Sequence, residues 1–220
     1  MRQARLIVAL LVVLGVMAGA APSSVRAGST CFGFAPSITG SGSIPGTPGA
    51  DVIMGSSGPD VIDGRGGNDH ICAFGGDDLV VTLAGDARVA AGAGDDTVEL
   101  GLGTNSVAAG LGDDDVTGNA GVDTLAGRDG NDKLRGLAGS DLIEGSDGDD
   151  AVAGGDGDDT LSGGEGADKI TLGSGNDTAY GQAGRDRMYG QLRADTMDGG
   201  LDGDSLSAND GADTLSLIHI

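Results

Sequence analysis

Aromatic side chains are almost missing from this chain: three Phe, two Tyr and no Trp in 220 residues. That excludes an ordinary globular core, which takes much of its burial from large rings. Cations are scarce too, with 12 Lys and Arg against 34 Asp and Glu and a net charge of −22. Nucleic acid and anionic membranes both select a basic face, so neither is expected as a partner. There are two His and two Cys, and no G-x-S-x-G, H-E-x-x-H or C-x-x-C, so these familiar catalytic motifs are absent. What is abundant is Gly, with 45 residues, and Asp. Few rings and a high charge ordinarily indicate disorder. Here the residues follow a strict order along the chain, and the acidity suits a cation.

The first 27 residues differ from the rest. Arg2 and Arg5 precede an apolar run from Leu6 to Ala18, and "VRA" ending at Ala27 has the small-x-small form of a cleavage site, with Ala20 a second candidate. Residues 1–27 read as a secretory signal peptide. The alternative, a membrane anchor, needs about 20 apolar residues, more than this run supplies. Cleavage at Ala27 leaves nine Lys and Arg against 34 Asp and Glu, a net charge of −25, and no segment for membrane insertion. The expected localisation is secreted. In an oxidising compartment Cys31 and Cys72 most simply pair, tying the segment 28–45 to the early repeats as a cap. Two free or intermolecular thiols are the alternative.

From Gly46 the chain reads as 19 nonapeptides without insertion or deletion, over residues 46–216. The stretch "GSDGDDAVAGGDGDDTLSGGEGADKIT", Gly145 to Thr171, holds three of them. Position 4 is Gly except at Arg193 and Asp202, and position 6 is Asp except at Ala87 and Asn105. Position 8 is Ile, Leu, Val or Met except at Ala179. Positions 7 to 9 suit a short strand with position 8 pointing inward. Stacked units then bury an aliphatic ladder that no single unit could bury alone. Gly at position 4 permits a positive φ, and Gly at position 1 permits close backbone approach. Asp at position 6, with loop carbonyls, supplies hard oxygen ligands of the kind Ca²⁺ takes. A flexible acidic linker would not keep so strict a register. An EF-hand would need flanking helices and a Glu at loop position 12.

The pattern resembles the RTX nonapeptide G-G-x-G-x-D-x-U-x, a calcium-binding repeat of hemolysin-type proteins. The resemblance implies an all-β fold, the parallel β-roll or two-sheet β-solenoid, with two repeats per turn and multiple Ca²⁺ ions held between loops of neighbouring turns. Its candidate metal ligands are Asp51, Asp60, Asp69, Asp78, Asp96, Asp114, Asp123, Asp132, Asp141, Asp150, Asp159, Asp168, Asp177 and Asp186. Many RTX proteins carry the repeats beside a toxin or enzyme domain, but here the repeats leave no room for one. Their usual C-terminal export signal also contrasts with the N-terminal one read here.

The expectation is therefore a secreted, non-catalytic calcium-binding protein that folds on binding its ions. Requiring Asp at position 6 and Gly at position 4 in both units of a pair gives 11 sites. Seven fall on the even-unit edge, from 60/78 to 168/186, and four on the odd-unit edge, at 51/69, 123/141, 141/159 and 159/177. One alternative is a calcium-stiffened spacer with a cell-surface or matrix partner. Another is a ligand- or ice-binding face made by Thr124, Thr160, Thr178, Thr196 and Thr214. Lys133, Lys169 and Arg187 occupy the equivalent column on the opposite sheet. His70, at position 7, is expected to be an outward strand residue. "LSLIHI", Leu215 to Ile220, is also the translation of the transposon end CTGTCTCTTATACACATC used in sequencing libraries. Residues 217–220 are accordingly expected to be adapter read-through, with a natural apolar last strand as the alternative.

Overall fold

The computed structural model describes residues 30–217. The signal-peptide and cleavage-site expectations lie outside the described residues, as do residues 218–220 of the expected adapter segment. Twenty-one strands run in chain order from Ile38–Thr39 to Thr214–Ser216, with no helix among the described residues. Alternate strands enter opposite sheets. The odd-numbered strands build an eleven-stranded sheet and the even-numbered strands a ten-stranded one, called here the odd and even sheets. Every ladder is parallel. After the first, where Ile38 faces Ile53, the partner lies 18 residues on, as in Leu161↔Ala179 and Ile170↔Met188. One shift interrupts this register at Arg65. Two nonapeptides make one turn of a parallel β-roll, as the resemblance implies.

The strands are longer than positions 7 to 9. Most continue through positions 1 to 3 of the next unit, as in Thr160–Glu165 and Lys169–Ser174. The pleat alternates sides, so positions 8 and 1 both point inward. Position 8 builds the ladder from Ile53 to Met197, every member 2% exposed or less. Position 1 adds Ala73, Ala91, Ala109, Leu100 and Leu172. The unit whose position 8 shrinks to Ala179 is the one whose position 1 grows to Leu172, which restores apolar volume within a single nonapeptide.

The roll begins before Gly46. Ile38–Thr39 and Ser43–Pro45 already join the two sheets, and Ile44 is buried. A turn closed by the antiparallel bridge Cys31↔Phe34 is tied to the odd sheet by the disulfide Cys31–Cys72, with Cα atoms 5.8 Å apart. It covers Met54 and Cys72, which point outward from that sheet yet are buried. His70 is therefore not an open strand residue. Its ring lies 5.7 Å from Phe32 and 4.7 Å from Phe34, and the Arg88 guanidinium sits 4.2 Å from the centre of the Phe32 ring, a cation–π contact.

Candidate metal centre

Asp at position 6 closes each loop and turns its carboxylate into the roll. All fourteen candidate Asp residues are buried, Asp51 to 6% exposure and the others to 2% or less. They form two columns, one on each edge. Within a column, from Asp69 onward, each Oδ1 accepts from the backbone N–H of the position 6 residue one turn earlier. Asp114 donates to Asp132 at 2.8 Å, Asp132 to Asp150 at 2.7 Å, and Asp150 to Asp168 at 2.8 Å. The odd column repeats this from Asp123 to Asp141 and Asp159, both at 2.8 Å.

The second carboxylate oxygen is treated differently. In eleven of the fourteen, Oδ2 is buried without any hydrogen-bond partner; Asp51, Asp60 and Asp123 are the exceptions. An unpaired buried carboxylate oxygen costs free energy and calls for a compensating charge or donor. In several of the units with Gly at position 1, a carbonyl of the next turn lies on the same side as this oxygen. A Cβ built on Gly145 would strike Asp150 Oδ2 and lie 2.6 Å from the Gly163 carbonyl oxygen. On Gly136 it would strike Asp141 Oδ2 and lie 2.9 Å from the Gly154 carbonyl. In these two units the space beside the position 1 Gly is lined by a carboxylate and by the carbonyl of the next turn. Gly148, at position 4, has φ +134° and also packs against the Gly130 carbonyl, so any side chain there meets both strain and a collision.

The exceptions are informative. In the units of Asp51 and Asp60, Oδ2 accepts from the backbone N–H at position 2, Thr47 and Ser56, each at 2.6 Å. Asp123 is held by Asn119, whose N–H and Nδ2 both reach Oδ2 at 3.0 Å. One unit pair earlier, Asn105 replaces Asp. Its Oδ1 still accepts from the Ala87 N–H at 2.8 Å. Its Nδ2 donates to the carbonyls of Gly101 and Gly103 at 3.2 and 3.4 Å and to Asp123 Oδ1 at 3.0 Å. Here amide nitrogens supply the positive partial charge that the carboxylates and carbonyls lack elsewhere.

Two further residues share the arrangement. Asp195 is buried, and both Asp195 and Asp204 carry an unpartnered Oδ2. Requiring Gly at position 4 removed them from the sequence expectation, because Arg193 and Asp202 stand there. Both adopt positive φ, +83° and +76°, so the loop keeps its path. The position 6 Asp alone was the better signal. Unpartnered Oδ2 atoms then number eight on the even edge, in an unbroken run from Asp78 to Asp204, and five on the odd edge.

Burial drives the electrostatics. Desolvation raises Asp78, Asp114, Asp150 and Asp159 to about 7, and like charges in the same column add to it. Asp69, Asp96, Asp168 and Asp177 rise to about 6, again chiefly through desolvation. The N–H donated to each Oδ1 only partly offsets this. Such carboxylates favour a proton or a cation. Among the described residues no three His, Cys, Asp or Glu side chains converge on one point. A bound ion would draw on one or two carboxylates and complete its shell with carbonyls. An all-oxygen set of that kind suits a hard cation such as Ca²⁺, not the N and S ligation of Zn²⁺.

Comparison with known families agrees with this donor set. The profile described as the RTX calcium-binding nonapeptide repeat, in four copies, matches in overlapping segments from 45–80 to 189–217. No curated protein matches the chain.

Proposed function

The chain belongs to the RTX calcium-binding nonapeptide repeat family, and on that premise we propose that it is a secreted, non-catalytic protein that folds on binding a column of Ca²⁺ ions along each edge. The observation that carries this reading is the row of thirteen unpartnered Asp Oδ2 atoms. Each belongs to a residue tied through its own Oδ1 to the preceding turn, and those of Asp141, Asp150, Asp159, Asp186 and Asp195 lie where a next-turn carbonyl also approaches. A cation there would neutralise the column and link successive turns, so binding energy becomes folding energy. The ligands are the fourteen candidate Asp residues together with Asp195 and Asp204, and Asp51, Asp60 and Asp123 are weaker because their loops already satisfy them. Secretion is supported by the disulfide, which persists in oxidising compartments.

Calorimetric titration tests the reading. Several Ca²⁺ per chain should bind at pH 7.5, with Mg²⁺ a poor substitute because it demands a tighter octahedral shell. One ion or none overturns it. The Thr column of the odd sheet, Thr160↔Thr178↔Thr196↔Thr214, is in register. The adjacent outward column holds Ser162, Tyr180, Asp198 and Ser216, so the Thr surface is one residue wide. A thermal-hysteresis assay in Ca²⁺ tests the ice-binding alternative, and the absence of hysteresis removes it.

A further inference from the structure

The roll separates its charges in a way the net charge conceals. Four consecutive strands of the even sheet are Lys133–Ala138, Ala151–Asp156, Lys169–Ser174 and Arg187–Leu192. Their outward positions 7, 9 and 2 hold Lys133, Arg135, Lys169 and Arg187 among small or neutral residues, with no Asp or Glu. The carboxylates sit at the rims: Asp149 and Asp158 in the flanking loops, and Asp156 at a strand end, all exposed. Lys169 and Arg187 are exposed direct neighbours across the ladder, an arrangement that costs stability when unpaired. The ion pairs among the described residues are Arg65–Asp63, Lys133–Asp115 and Arg135–Asp115, so Lys169 and Arg187 stand in none. Tyr189 lies beside them, 36% exposed.

At the Lys133 end the sheet opens into a groove of about 620 Å³, walled by Thr97, Glu99, Asp115, Thr117, Lys133 and Arg135. It forms where the strands Thr97–Glu99 and Asp115–Thr117 stop after three residues. Arg135 is held there by Asp115 and by Thr117 Oγ1, at 2.6 and 3.1 Å.

We propose that this face, centred on the unpaired Lys169 and Arg187 with Lys133 and Arg135 at its edge, is a docking surface for a linear anionic polysaccharide bearing carboxylate or sulfate groups. The shape selects that partner. A six-residue strand spans about 20 Å at roughly 3.3 Å per residue, and the strands from Lys133 to Arg187 cover about 14 Å. The result is a short cationic track between acidic rims. A single flexible polyanion fits along it, while a planar anionic membrane would meet the rims as well. A second copy of this acidic chain would be repelled. The surface rests on the folded roll and not on which ion stabilises it.

The test uses the calcium-loaded protein, its β-sheet signal verified by circular dichroism, so that failure of the calcium reading and failure of this one are told apart. Short dextran sulfate and hyaluronan oligosaccharides serve as probes, with neutral dextran as control. At least one of the two polyanions should bind and dextran should not. The double variant Lys169→Ala/Arg187→Ala should weaken binding about tenfold or more, equivalent to ~1.4 kcal/mol. Its Ca²⁺ midpoint should stay unchanged, and Arg128→Ala on the odd sheet should have little effect. Failure of both polyanions to bind the folded protein overturns the proposal. So does equal loss in Arg128→Ala, binding to acidic phospholipid vesicles but to neither oligosaccharide, or self-association abolished by the same double variant.

Discussion

The backbone N–H of Asp132 donates to Oδ1 of Asp150 at 2.7 Å across one turn of the roll, while Oδ2 of Asp150 is buried and bonded to nothing. The same carboxylate thus joins two turns with one oxygen and leaves the other for a cation. Repeated along both edges, this relationship makes the stack of turns and the column of ions a single object.

Asp150→Ala removes both functions at once. The Asp132 N–H is left buried without an acceptor, a cost of ~1–3 kcal/mol, and an ion loses its carboxylate. The Ca²⁺ midpoint should rise and the stoichiometry fall. Asp51→Ala should do less, because Thr47 already satisfies the Asp51 carboxylate. Calcium titrations of the two variants compare them, and equal effects would mean that loop satisfaction does not rank the sites.

Asp150→Asn should separate the two functions. Asn105 is the natural precedent, accepting from Ala87 while its Nδ2 serves loop carbonyls. The amide keeps the inter-turn hydrogen bond and removes a buried charge. The metal-free roll should become more stable, with about one Ca²⁺ fewer bound, since the carboxylate charge that attracts the ion is gone. Circular dichroism of the metal-stripped variant against pH, in which β-structure should persist to higher pH than in the parent, paired with calorimetry in Ca²⁺, reads both changes. A variant that loses stability in chelator would contradict the account.

Gly145→Ala places a methyl against Asp150 Oδ2 and the Gly163 carbonyl. Both contacts are closer than van der Waals distance, so the loss should be ~1–3 kcal/mol, the usual range for overpacking. The added volume also intrudes on the oxygen-lined site, and the Ca²⁺ midpoint should rise. Thermal melts at fixed Ca²⁺ check this.

The metal-free protein should be most stable in acid. The ordinary Asp value is 3.8, and burial lifts eight of the column Asp residues to about 6 or 7 in the folded state. A raised folded value contributes stability that is complete below about pH 4 and lost as pH rises through 6 to 7. Circular dichroism of metal-stripped protein should show β-structure near pH 4.5 that disappears by pH 8. Ca²⁺ should abolish this pH dependence, and its binding at pH 6 should release protons.

Much of this was legible in the sequence because the columns at positions 4, 6 and 8 are independent and in phase. The inward aliphatic ladder and the phase of the fourteen candidate carboxylates follow from that register, and the resemblance to the nonapeptide family implies the two parallel sheets. Other features depend on contacts between turns, which a nonapeptide pattern does not contain. The six-residue strands follow from the pleat carrying position 1 inward. The cover of Phe32 and Phe34 over His70 follows from the Cys31–Cys72 bridge. The amides of Asn105 and Asn119 read as simple departures from the consensus until their partners in neighbouring loops are seen. Asp195 and Asp204 were missed because Arg193 and Asp202 tolerate a backbone conformation that the consensus reserves for Gly.

Ca²⁺ bound between turns is expected to supply the free energy that folds the roll. The most direct test is the circular dichroism of the protein at pH 7.5, first in excess EGTA and then against rising free Ca²⁺. The spectrum in EGTA should be largely unfolded, with a cooperative gain of β-structure between roughly 10⁻⁴ and 10⁻³ M, the range of extracellular calcium modules. A spectrum equally rich in β-structure in EGTA, and unchanged by Ca²⁺, would contradict this expectation.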